Sequence, residues 1–121
     1  MRKGENMGLF TKYDESKTKS IKLLDVNDHG RHVWVTFQVC YRDGTKKVVR
    51  SHVKDLCRYY RRNGSPKPIQ KAEYLGCAYC GMLKTDGRAL FLVTLTNDTV
   101  QLIQAKEGSG EYLKLMELTC E

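Results

Sequence analysis

The chain has 121 residues, 40% of them hydrophobic and 29% charged, with ten Gly and two Pro. These are ordinary values for one globular domain and exclude a fibrous or wholly disordered chain. The net charge is +7, no apolar run approaches the roughly 20 residues of a membrane helix, and Met1 to Asn6 lead into no apolar stretch, so a cytoplasmic protein without a secretory signal or membrane partner is expected.

Residues 1–19 are rich in Lys, Glu, Asp, Ser and Thr, and read as a flexible N-terminal segment ahead of a single globular domain over 20–121. An apolar run at Ile21, Leu23 and Leu24 ends in Asn27-Asp28-His29-Gly30, a dense turn signal. Val33, Val35, Phe37, Val39 and Tyr41 then alternate with His32, Trp34, Thr36, Gln38 and Cys40, the period of a strand. Asp43-Gly44 predicts a hairpin turn and Thr45 to Ser51 the returning strand. The period then changes. Val53, Leu56, Cys57 and Tyr60 recur at helical spacing, which predicts a central helix over 53–63 with Ser51 as its cap.

Ala78 to Lys84 predicts a strand, Asp86-Gly87 a second hairpin turn, and Ala89 to Thr96 a strand apolar enough to be buried on both faces. Asn97-Asp98 turns into a strand over Thr99 to Ala105. Gly108-Ser109-Gly110 breaks the chain before 111–119, whose good helix formers favour a C-terminal helix over a last strand. The fold class is therefore α+β, an antiparallel meander of about six strands with one central and one terminal helix. Both halves then read as three strands and a helix. Gly30-Arg31 and Gly87-Arg88 fall 57 residues apart, the pattern of a βββα duplication; chance recurrence in a hairpin-rich chain is the alternative.

The charge is uneven. Val53 to Ala72 holds six basic residues against one acidic, whereas Glu73 to Glu121 holds four against seven. A basic hairpin and helix would display Arg42, Lys46, Lys47, Arg50, Lys54, Arg58, Arg61 and Arg62, with Tyr59 and Tyr60 between them. Lys and Arg neutralise phosphates and an exposed Tyr stacks on unpaired bases. This favours a small non-catalytic module that binds a polyanion, either nucleic acid or an acidic protein. Charge reversal at Arg58, Arg61 and Arg62 is then expected to abolish binding without unfolding. A solvated charged face with Tyr60 in the core is the plainer explanation, and Trp34 reads as core or sheet-face packing.

Five cysteines, an odd number, point to free thiols. Gly76-Cys77-Ala-Tyr-Cys80-Gly81 has the spacing of half a zinc knuckle, in which a tight turn lets two thiolates grip one tetrahedral metal. The missing ligands would be His52 with Cys57, or Cys120, or a second chain. A zinc-stabilised protein centred on Cys77 and Cys80 is thus the second reading; two small buried thiols are its bland counterpart. A third is a self-assembling structural protein that uses the apolar strand Leu90 to Leu95 at an interface. Catalysis has little support: His29, His32 and His52 are scattered, Asp14-Glu15 lies in the N-terminal segment, and no nucleophile elbow or phosphate loop is present.

Overall fold

The computed structural model describes residues 13–27, 32–58, 68–80, 83 and 85–119. Three layers are stacked. The first is a sheet, here sheet A, of β1 (Thr18–Asn27), β2 (Trp34–Tyr41) and β3 (Lys46–His52), antiparallel and in that order. The second, sheet B, has β4 (Cys57–Arg58), β5 (Ile69–Cys80), β6 (Asp86–Leu95) and β7 (Val100–Lys106) in the order β4-β7-β6-β5. The third is the helix α1 (Gly110–Thr119). The α+β class and the antiparallel meander are as the sequence indicates.

Alternation builds the core. Val33, Val35, Phe37 and Val39 point from sheet A onto sheet B and are 0–1% exposed. They meet Leu90 and Leu102 there. On the other face of sheet B, Ala89, Phe91, Val93, Ile103 and Ala105 pack with Leu115 of α1. Residues adjacent in β6 thus enter different cores, which is why Ala89 to Leu95 reads as a continuous apolar run. The same placement removes Leu90 to Leu95 as an interface strand, because sheet A covers one side and α1 the other.

The turns follow their residues. Gly44 adopts φ 92° between β2 and β3, its N–H bonded to the Tyr41 carbonyl at 3.0 Å, and Asp43 Oδ1 accepts from the Thr45 amide and hydroxyl. Leu95 to Thr99 forms the same turn, with Asp98 at φ 69° and Asn97 Oδ1 accepting from Thr99. The two turns lie 54 residues apart, not the 57 that separates the Gly-Arg pairs. Ser109 caps α1, its Oγ accepting from the Tyr112 N–H at 3.2 Å.

Four expectations are corrected. The described part of 53–63 is not a helix: Val53–Asp55 is one 3-10 turn, and Cys57–Arg58 is a short strand parallel to β7. Positions 59–63 lie outside the described residues. Its cap is His52 rather than Ser51, with Nδ1 accepting from the Lys54 N–H. Asp86-Gly87 is no turn but the start of β6, where the Tyr79 ring and the Glu107 carboxylate lie so close that a Cβ on Gly87 would come within 2.6 Å of Glu107 Oε1. The strand expected at 78–84 runs instead from Ile69 to Cys80. Within the N-terminal stretch, Tyr13 is 3% exposed in the inter-sheet core, and its hydroxyl accepts from the Leu102 N–H at 3.3 Å.

Both sheets are bulged at an end strand. The register of β1 shifts between Thr18 and Ser20 and between Leu23 and Asp25. That of β5 shifts between Ile69 and Lys71 and again between Tyr74 and Gly76, where Gly76 takes φ 117°.

Candidate polyanion-binding face

The outer face of sheet A follows from the register. The row Ser20, Cys40, Lys46 is succeeded by Lys22, Gln38, Val48, then Asp25, Thr36, Arg50, then Asn27, Trp34, His52. Lys22, Lys46, Val48 and Arg50 are exposed. Trp34 therefore stands on the solvent side of the sheet, opposite the buried valines. Its partners fix it there. The Arg50 guanidinium lies over the indole, 4.3 Å from the ring centroid, a distance at which a cation is attracted to the π face. The His52 ring meets the indole edge-on at 5.5 Å.

His32 and His52 complete this cluster, with Nδ1 of His32 3.3 Å from Nε2 of His52. Because His52 Nδ1 accepts the Lys54 N–H at 3.2 Å, the neutral ring carries its proton on Nε2 and donates it to His32. A metal between the two nitrogens would have to displace that proton and the cap together. Burial holds the His52 pKa below its ordinary value, opposed by Asp55 and reinforced by His32 and Lys54.

The eight basic residues singled out by sequence divide into groups. Lys46, Lys47 and Arg50 stand exposed on β3. Arg42 sits in the turn before β3 and donates to the Asn97 carbonyl at 3.2 Å. Lys54 is 2.8 Å from Asp86, which also holds Arg88 at 3.0 Å. The hydrogen bond to Asp86 raises the Lys54 pKa, and the Lys54 bond is the largest cause lowering that of Asp86. Arg58 directs Nε and a terminal nitrogen at Glu111 Oε1, at 3.1 and 2.6 Å. Lys54 and Arg58 are thus joints between layers. Arg61, Arg62, Tyr59 and Tyr60 lie outside the described residues. Lys22 and the Trp34–Arg50 stack were missed in the sequence, although strict alternation with Val33 and Val35 already assigns Trp34 to the outer face.

Cys77 and Cys80 occupy the end of β5 rather than a tight turn. Ala78 and Cys80 belong to the inter-sheet core, and neighbouring side chains in a strand face opposite ways. Cys77 and Tyr79 therefore face the other side, where Tyr79 donates to Glu107 at 3.0 Å. Burial pushes the Cys77 thiol up, and hydrogen bonds to Cys77 and Glu107 push the Tyr79 hydroxyl up to about 12. Cys80 is fully buried, its Sγ 3.5 Å from the Asp86 carbonyl. The strand does not bring the two thiols together. Of the other suggested ligands, the Cys57 thiol donates to Glu15 at 3.1 Å, and Cys120 lies outside the described residues. Among the described residues no three His, Cys, Asp or Glu side chains are grouped to hold a metal, and no helix is long and apolar enough to cross a membrane.

No protein-family model matches the chain, and neither a curated protein nor a solved structure does.

Proposed function

We propose that the protein is a non-catalytic binding module whose outer sheet A face takes a polyanion, and that nucleic acid is that polyanion. The observation that carries the reading is the Arg50 guanidinium stacked on Trp34 in an exposed face bearing Lys22 and Lys46. An acidic protein would pair its carboxylates with the charges, whereas a nucleic acid can add the stacking of a base on the guanidinium. A cytoplasmic setting suits the cysteines, since none of the four described is in a disulfide.

The chain has one tryptophan, so its fluorescence reports on this face alone. Titration with a labelled oligonucleotide should change both anisotropy and Trp34 emission, with affinity falling steeply as salt rises. Lys46→Glu with Arg50→Glu should weaken binding at least tenfold while the melting temperature holds. Binding that survives this double reversal refutes the assignment, and a polyglutamate that competes as well as the oligonucleotide moves it to an acidic protein.

A further inference from the structure

The shape of the face narrows the ligand further, on the reading that it binds a polyanion. A duplex offers a protein phosphates and groove edges, and keeps the faces of its bases stacked on one another. An unpaired strand offers phosphates and open π faces. Lysine alone serves both, because an ammonium is a point charge, whereas a guanidinium is a plane on which a base can lie.

The structure spends its only tryptophan on holding such a plane. Trp34 is in the central strand of sheet A, flanked by His52 across the register. Arg50 comes from the row beside it and lies over the ring. An arginine side chain free to rotate would lose rotamer entropy on stacking; one already laid on an indole has less to lose. The neighbouring outward position on β3 is Val48, 59% exposed, an apolar surface that neither phosphate nor water rewards and that the face of a base would cover. Lys46 lies one row beyond it on β3, and Lys22 stands at the β1 end of the same row. A planar cation, an apolar step and flanking ammonium groups on one open sheet match the alternation of base and phosphate along one strand.

We infer that the ligand of this face is single-stranded nucleic acid, with an unpaired base stacked on the Arg50 guanidinium that lies over Trp34 and with Lys46 and Lys22 on the flanking phosphates.

The test compares a single-stranded oligonucleotide with the same sequence as a duplex, at one salt concentration, using the full chain. Single strand should bind at least tenfold more tightly and quench Trp34. Arg50→Lys keeps the charge and removes the plane, so it should lower single-strand affinity roughly tenfold and leave duplex affinity within twofold. Lys46→Gln should weaken both ligands alike. Circular dichroism and melting of each variant confirm that the fold is kept. Equal affinity for both forms, or an Arg50→Lys protein that keeps its preference, overturns single-strand selection while the polyanion reading stands. Binding to neither form overturns both.

Discussion

Arg58 was a candidate ligand-binding residue, and its contact with Glu111 makes a quantitative prediction instead. The Arg58 side chain is 55% exposed and that of Glu111 6%. Two guanidinium nitrogens converge on one carboxylate oxygen. The contact fastens β4, the tail of the first half of the chain, to the first turn of α1. Hydrogen bonds to charged groups contribute about 1.5–3 kcal/mol. Solvent screening at the half-exposed arginine reduces this to about 1–2 kcal/mol. Arg58→Ala should cost that much, because a buried carboxylate loses its cation, although the α1 N-terminus still favours its charge. Glu111→Gln should cost less, about 0.5–1 kcal/mol, since the amide oxygen still accepts and the arginine is hydrated from outside. For a domain of this size, each kcal/mol lowers the melting temperature by about 3–6 °C. Thermal unfolding followed by circular dichroism at neutral pH measures both. If Arg58→Ala melts with the wild type, or Glu111→Gln loses more than Arg58→Ala, the ordering argued from burial is wrong. Reversal at Arg58 is also a poor probe of ligand binding, because it disturbs the joint between layers.

Acid should weaken the fold in two stages. The folded-state pKa of His52 lies below its ordinary 6.5, so its contribution is complete above that pH and is lost as pH falls through the lowered value; Asp86, lowered from 3.8 by Lys54 and Arg88, repeats this at lower pH. His52→Asn keeps a capping side chain without a titrating ring, and should make the fall in melting temperature between pH 7 and pH 5 shallower; equal slopes would speak against the tautomer argument. Cys80→Ser places a hydroxyl in the inter-sheet core and should cost about 1–2 kcal/mol, whereas Cys77→Ser on the other face should cost less than half of that. Equal losses accompanied by release of zinc, measured by melting and elemental analysis, would show a shared metal after all.

What could be read from sequence depended on whether one pattern had one cause. β2 was legible because Val33 to Val39 meet a single core on one side. The turn at Asp43-Gly44 was legible because its hydrogen bonds are local, and the two-faced burial of β6 because its run is unbroken. The 53–63 segment misled because Val53 and Leu56 enter the inter-sheet core and Cys57 the helix-side core. Helical spacing there records a chain crossing from one sheet to the other. β5 was largely hidden, since only Ala78 and Cys80 are buried and its bulges break the alternation. At Gly87 the glycine answers to two side chains lying over it rather than to a turn, a contact that no local pattern announces. The candidate face was half legible: the lysines show in the composition, but the Arg50–Trp34 stack needs the pairing of β2 with β3.

The bulged end strands have a bearing on how the protein behaves when crowded. A straight, regular end strand exposes an even ladder of amides and carbonyls that a neighbouring chain can extend into a fibril. Here β1 and β5 each break that ladder twice, and the other end of sheet A is a strand beginning Lys46-Lys47, where an approaching copy meets its own charge. Straightening β1 by deleting a bulge residue would give the sheet a better edge and the protein a worse one, gaining pairing and losing its resistance to polymerisation.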